Sequence, residues 1–316
     1  MGSGTRSYRD LQEHLEALSD AGLVHRIGEK IDKDAEMHPL VRWQFRGGIN
    51  EAERKAFLFT DIVDGKGRAF DIPVAVGALA ASQAVYSVGM LVPVAEISGK
   101  WDHALANPIA PREIENAPCH EVVLTGSDLE GEGNGLDALP IPVSTPGFDS
   151  APTLTATNVI TRDPETGGQN MGTYRAGLKA TDRLVVRMAT RTGGAEGYLH
   201  WQKYKGRGED MPCAIVLGCP PFVAFMGPQK LPLGIDEMEV AGGLAGEPIN
   251  MVRAKTVDLM VPAEAELVIE GIIDPHVLEP EGPFGESHGH IALEEFNMPM
   301  RVTAITRKAK PVIPSY

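Results

Sequence analysis

Glu279, Glu281 and Glu286 stand with His288 and His290 in the twelve residues EPEGPFGESHGH, 279–290. Carboxyls this close can move protons: one kept neutral by burial or by a like-charged neighbour acts as an acid while the other stays ionised. The stretch is no helix, because Pro280 and Pro283 interrupt it and Gly282, Gly285 and Gly289 loosen it. Such a frame suits two groups, Glu281 and Glu286, that must be held at a fixed separation. Extended backbone would also point Glu286, His288 and His290 the same way, a spacing that could chelate zinc. No further His or Cys cluster accompanies them, so proton transfer is the preferred reading.

Three other stretches carry usable groups. GGQNMGTYR, 167–175, brings Asn170, a hard oxygen ligand suited to Mg²⁺, Mn²⁺ or Ca²⁺, and Arg175, a planar fork for a carboxylate or phosphate. An ordinary hairpin turn with an exposed arginine would read the same. In RLVVRMATR a strand puts Arg183, Arg187 and Arg191 on one face, either as an anion-binding cluster or as a solvated surface. In GIDEMEVAG, Glu237 and Glu239 open a helix, where the helix dipole alone would favour them. A metal role for Glu237 needs a partner such as Asn170.

The elements that must position these groups divide by texture. SYRDLQEHLEALSDAG reads as a helix capped by Ser7, with Asp10 at the capping-box position, an apolar stripe of Leu11, Leu15 and Leu18, and a stop at Gly22. LVHRI, AFLFTDI and IPVAVGAL read as strands, so residues 1 to 115 form a mixed α/β unit. From 116 onward short strands dominate: HEVVLTG, LTATNVITR, RLVVRMAT, CAIVLG, FVAFMG, AELVIEGII and MRVTAITRK. GIDEMEVAGGLAG is the one strong helix among them, and the spacing suggests an antiparallel barrel or sandwich.

Composition bounds the partners. The 316 residues carry 43 acidic and 29 basic side chains, a net charge of -14, which repels phosphate backbones and argues against nucleic acid. Three scattered cysteines fit a reducing compartment and small buried apolar positions. No run reaches membrane-spanning length and no signal-peptide core follows MGSGTRSYRDLQEH, so a cytoplasmic protein is expected.

NMGTYR (170–175), DEMEVAGGLAGEP (236–248), DLMVPAEAELVIEG (258–271) and PEGPFGESHG (280–289) together resemble the UbiD-type decarboxylases that use prenylated FMN. The resemblance runs from about residue 8 to the end. It implies an α+β protein: an N-terminal α/β domain over 1–115 and a split β-barrel, prenyl-FMN-binding domain over 116–316. The resemblance implies a further C-terminal α/β domain, expected to be missing after KPVIPSY through truncation, cleavage or natural absence, and its loss is expected to weaken function. Arg175, Glu281 and Glu286 resemble the catalytic Arg-Glu-Glu network, with Glu286 as proton donor. Thr173, Tyr174 and Arg175, then Arg187, Met188 and Ala189, then Thr192 and Gly193 resemble the cofactor-contacting segments. Asn170 and Glu237 resemble ligands of a divalent metal, Mn²⁺ first, that bridges protein to cofactor phosphate; K⁺ is a further implied ion.

The chain also departs from the family. Gly193, Gly194 and Ala195 occupy the region where some members carry a metal-binding histidine, and His200 is not read as its equivalent. Thr192 stands where other members have a phosphate-binding arginine, which Arg191 could replace. The activity implied is non-oxidative, reversible decarboxylation of an aromatic, heteroaromatic or α,β-unsaturated acid by a homo-oligomer, with a flavin prenyltransferase supplying the cofactor. The alternatives are a non-catalytic UbiD-like subunit of a larger complex and an FMN-binding oxidoreductase. The complete Arg175, Glu281, Glu286 set argues against the first and the lack of a GxGxxG turn against a nicotinamide partner for the second.

Overall fold

A computed structural model describes residues 6–188, 195–232, 234–286, 289–293 and 295–316. The first helix, Leu11–Asp20, begins one turn later than its sequence suggests. Its N-cap is Asp10, whose carboxylate accepts the Glu13 amide, while the Ser7 hydroxyl reaches Glu247 instead. An ionised acceptor at the positive end of the helix serves better than a serine further out. Leu11, Leu15 and Leu18 are buried together with Ala75, Ala78 and Val85.

Under this helix lies a four-stranded sheet in the order Val24–Ile27, Ala56–Phe59, Val74–Val76, Ile313–Ser315. The outer pairs are parallel and the central pair is antiparallel. The last strand of the chain therefore completes the sheet that the first strands begin.

The larger sheet is antiparallel throughout. Its path runs Gln169–Gly172, Thr157–Arg162, Met211–Leu217, Leu267–Ile273, Phe296–Arg307, Arg183–Val186, Ala176–Ala180, Thr153–Leu154. Phe296–Arg307 also pairs with Val122–Thr125 and with Glu279–Pro280. The α+β character expected from the sequence is observed; among the described residues the sheet is an open path, not a closed barrel. Buried side chains fill both faces of its centre. Val159, Ile215, Leu217 and Ile269 lie in one cluster, and Ile160, Ala214, Val216 and Val268 in the other. Such strands read as continuous apolar runs because neither face meets water.

Two elements differ from expectation. FVAFMG is no strand: Pro221–Ala224 is a short helix, started by Pro221 in its first turn and wholly buried. A short apolar run has no period to tell strand from helix, and the proline decides it. A second helix, Glu196–Arg207, lies among the strands in addition to Glu237–Ala245. Its buried positions are Gly197, His200, Trp201 and Tyr204. Their spacing is helical, but glycine, histidine and tyrosine conceal the stripe from a hydrophobicity pattern.

Among the described residues no helix is long and apolar enough to cross a membrane. All three cysteines are buried and unbridged, and burial pushes the Cys119 thiol up to about 12.

Candidate active site

Arg175 leaves the Gln169–Gly172 strand and enters Ala176–Ala180, and its carbonyl accepts the Arg187 amide at 3.0 Å. Its guanidinium joins the two glutamates of the Pro/Gly stretch. Nε and Nη2 donate to the two oxygens of Glu281 at 2.5 and 3.1 Å, and Nη1 donates to Glu286 Oε1 at 2.5 Å. The fork on Glu281 is bidentate, which fixes direction as well as distance. The guanidinium carbon also lies 4.2 Å from the centre of the Phe284 ring. Burial pulls the Arg175 guanidinium down, but Glu281 and Glu286 outweigh it and leave it above its ordinary value.

Arg187 forms the second half of the network. It donates to Glu286 Oε1 at 3.2 Å and to Glu295 Oε2 at 2.9 Å, and its Nε stands 3.7 Å from Glu281 Oε2. Asn297 adds a 3.4 Å bond to Glu281. The Glu281 side chain is 4% exposed and that of Glu286 23%. Both arginines are therefore committed to the protein's own carboxylates. Arg183 pairs with Glu279 at 3.1 Å, and Arg191 and His288 lie outside the described residues. The three-arginine face is thus no open anion cluster at Arg183 and Arg187.

The frame that spaces the glutamates is held from another segment. Asp149 accepts the Gly285 amide at 2.7 Å, the Ser150 amide reaches Pro283 O at 3.1 Å, and its hydroxyl reaches Glu281 O at 3.1 Å. The two segments pack too closely for side chains. A Cβ on Gly285 would lie 2.2 Å from Thr145 Oγ1, and one on Gly282, at φ +84, 2.4 Å from Ser150 Oγ. Phe284–Gly285 and Ile291–Ala292 close the loop as a small ladder, and the Glu286 amide donates to His290 O. Sequence reasoning found the loop but not its clamp. TPGFDS, 145–150, carried the turn signal without any sign of what it would grip.

The network borders a cavity of about 1010 Å³. Thr173, Tyr174, Arg175, Arg187 and Glu286 line one side, with His38, Arg42 and Phe45 of the helix Met37–Arg46 also in its wall. A buried polar atom, Thr173 Oγ1, has no hydrogen-bond partner among the described residues, which marks a place for a polar ligand. Met188 is fully buried, and Ala189, Thr192 and Gly193 lie outside the described residues.

Asn170 and Glu237 meet at a second, smaller cavity of about 370 Å³. Both are buried, Glu237 accepts the Met171 amide at 3.3 Å, and Asn170 Nδ2 has no partner among the described residues. Burial without a cation raises the Glu237 carboxyl to about 7. A hard cation would reverse that by favouring the carboxylate, so this pair of oxygen donors fits a divalent metal. Among the described residues no group of three His, Cys, Asp or Glu side chains completes a ligand set. The same holds for the zinc reading of 286–290.

A family model described as the 3-octaprenyl-4-hydroxybenzoate carboxy-lyase Rift-related domain, UbiD, matches residues 112–316. The chain belongs to the UbiD family. An uncharacterized protein of Synechocystis is 30% identical and aligns over 96% of this chain. This chain spans 62% of that relative's length. An evolved dimeric form of the UbiD-class enzyme HmfF from Pelotomaculum thermopropionicum, in complex with prFMN, superposes with a TM-score of 0.86. It shares 30% identity over 98% of this chain and 67% of its own. The closed form of vanillic acid decarboxylase from Sedimentibacter hydroxybenzoicus also reaches 0.86, at 26% identity, over 98% of this chain and 64% of its own.

Proposed function

We propose that this UbiD chain is the cofactor-holding part of a prenyl-FMN-dependent decarboxylase acting on an aromatic, heteroaromatic or α,β-unsaturated carboxylic acid. One observation carries the reading: Arg175 joins Glu281 and Glu286 at the wall of a large cavity, with Glu286 on the open side. HmfF in complex with prFMN and a vanillic acid decarboxylase, both of similar structure, support it. The organisation proposed is an N-terminal unit over 1–115 and a split-barrel flavin domain over 116–316, the latter overlapping the family match.

Thr173, Tyr174, Arg187 and Met188 would hold the flavin, and Asn170 with Glu237 would hold a divalent metal, Mn²⁺ first, against its phosphate. The cofactor would supply the electrophilic carbon that takes up the electron pair released as CO₂ leaves. The protein's part is orientation and proton delivery. Arg175, fixed by Glu281, aligns the reacting carboxylate. Glu286 delivers the proton: its Oε1 is shared by two arginines, while Oε2 takes no hydrogen bond among the described residues.

The test is co-expression with a flavin prenyltransferase, followed by absorbance and mass of the bound flavin. Prenylated FMN with acid-dependent CO₂ release is the expected result. Unmodified FMN alone under those conditions refutes the reading and favours an oxidoreductase. Mn²⁺-soaked crystals should show anomalous signal between Asn170 and Glu237; a peak remote from both refutes the metal assignment.

A further inference from the structure

Resting on that reading, we infer that Glu196 joins Asn170 and Glu237 as the third protein ligand of the divalent metal, and that the ion they take is a hard one such as Mn²⁺ or Mg²⁺. Two donors are few for an ion that gathers about six oxygens. The place of Glu196 follows from the register of two strands. Thr161 in Thr157–Arg162 lies directly opposite Asn170 in Gln169–Gly172, and opposed residues of an antiparallel pair point to the same face. The helix Glu196–Arg207 packs across both strands. Its His200 is buried, and Nδ1 meets Thr161 Oγ1 at 2.9 Å. One turn earlier, Glu196 Oε1 stands 3.9 Å from His200 Nε2. The carboxylate therefore lies over the side of the sheet that carries the Asn170 amide.

Tyr174 ties the same groups together from the larger cavity. Its ring packs on two glycines: a Cβ on Gly172 would lie 2.6 Å from the hydroxyl oxygen, and one on Gly197 3.2 Å from Cε2. Gly172 ends the strand of Asn170, and Gly197 follows Glu196 directly. The ring thus touches the strand end and the helix start at once. Burial raises the Tyr174 hydroxyl, and the Glu237 and Glu196 charges both add to the rise.

Charge makes the case for a cation. Among the described residues neither Glu237 nor Glu196 forms an ion pair with a lysine or arginine. Lys203, on the helix of Glu196, is taken by Asp163 and Glu165 at 2.6 and 2.9 Å. His200 cannot supply the charge, because burial lowers its ring to about 4 and leaves it neutral at pH 7. Two carboxylates without a counter-charge thus stand by an amide that is 6% exposed and whose Nδ2 has no partner. Turning that amide by half a turn puts its oxygen in the unpartnered place. The arrangement is unfavourable by itself and favourable around a cation. Two carboxylates and an amide make an all-oxygen set, which suits Mn²⁺ or Mg²⁺ better than Zn²⁺. His200 is left as a positioning residue: Thr161 fixes its ring, and Nε2 faces the Glu196 carboxylate.

The experiment is titration of the 316-residue chain with Mn²⁺, both flavin-free and with FMN, reading free and bound Mn²⁺ by electron paramagnetic resonance. Mg²⁺ should compete for the site. Glu196→Gln keeps the size but removes the charge, and should weaken Mn²⁺ about 100-fold, the upper end of what losing a supporting group does. His200→Gln should weaken it about tenfold. Glu196→His exchanges a hard oxygen for an imidazole and should move the preference toward Co²⁺ and Zn²⁺. The bound Mn²⁺ should show no directly bonded nitrogen in the unsubstituted chain and one in Glu196→His. That variant also guards against a Gln variant that fails to fold.

Unchanged Mn²⁺ affinity in Glu196→Gln would overturn the inference and leave the glutamate to the helix dipole alone. So would a nitrogen bonded to Mn²⁺ in the unsubstituted chain, which would give the place to an imidazole such as His200. No uptake of Mn²⁺ with or without FMN would overturn it as well. Flavin uptake is read separately by absorbance and mass. A chain that takes no prenylated flavin fails the proposed function, while the flavin-free Mn²⁺ titration still decides the role of Glu196.

Discussion

Two networks in this molecule bury glutamate against a cation, and they are built to opposite ends. In one, Glu266 is 0% exposed and accepts Lys308 on Oε1 at 2.7 Å, and Gln12 and the Val312 amide on Oε2 at 2.7 and 2.8 Å. Lys308 also reaches Asp10, the cap of the first helix, at 2.9 Å. Both carboxylate oxygens of Glu266 are saturated, and the network ties the first helix to the end of the chain. In the other, Glu281 is saturated by Arg175 and Asn297, but Glu286 keeps one oxygen without a partner among the described residues, beside a cavity. A closed network can only hold. An open one can hold one carboxylate and leave its neighbour to react.

The sharpest test of this contrast is Glu286→Gln. Gln keeps the shape and much of the hydrogen bonding but has no carboxylic proton to give. Flavin binding should be normal and turnover should fall about 10²–10⁴-fold, or roughly 3–5 kcal/mol. Deuterium exchange into a product-like arene separates proton delivery from carbon–carbon cleavage. Exchange and decarboxylation at unchanged rates with full flavin would reduce 279–290 to a structural loop.

The closed network should answer the other way. Lys308→Met leaves Glu266 and Asp10 without their cation in a buried place, at a cost of about 3 kcal/mol or more in stability. Denaturant unfolding should show a lower midpoint with little change in slope, while flavin affinity measured under folding conditions stays the same. A loss of flavin binding without a loss of stability would break the comparison.

How much of this was legible in the sequence differs between the networks. The glutamates of the open one announced themselves through proline and glycine, whose backbone constraints are local and visible. Arg175 stood out as a fork for an anion, but its pairing with these glutamates came only from the resemblance, since 106 residues separate it from Glu281. The closed network left no local mark. Glu266 sits in an apolar strand region and Lys308 in a basic-looking tail, and only the fold brings them together. Arg42 and Asp149 were missed for the same reason. Each looks like an ordinary exposed charge until a partner from a distant segment is placed beside it. The helix Glu196–Arg207 is the reverse case: its stripe was present locally, written mostly in glycine, histidine and tyrosine rather than in aliphatic residues.

Acid should also act on the first helix. His14 lies on the same helix as Gln12, is buried, and holds Ala78 O at 2.8 Å through Nε2; burial lowers it to about 4. The unfolded chain takes up this proton near 6.5, the folded chain only near 4. The neutral ring therefore contributes stability that is full above pH 6.5 and is lost as pH falls toward 4. His14→Gln, which cannot charge, should flatten that part of the stability–pH curve by roughly 3 kcal/mol. A curve of unchanged slope would show that His14 is protonated in the folded state.

The smallest effect belongs to Arg183, and it separates two residues that the sequence put on one face. Arg183 and Arg187 stand four apart, and each meets a glutamate of the 279–290 stretch. The Arg183 side chain is 49% exposed and its partner Glu279 is not in the network. An exposed pair of this kind gains little, because water screens the attraction and two long side chains lose freedom. Arg183→Ala should cost about 0.5 kcal/mol in stability and leave flavin binding and turnover alone. Arg187→Ala removes a partner from Glu286 and Glu295 together, so flavin affinity and turnover should both fall. The comparison rests on that difference. If Arg183→Ala harmed turnover as much as Arg187→Ala, the reach of the network would extend to Glu279 and along the Arg183–Val186 strand, and burial would no longer mark its edge.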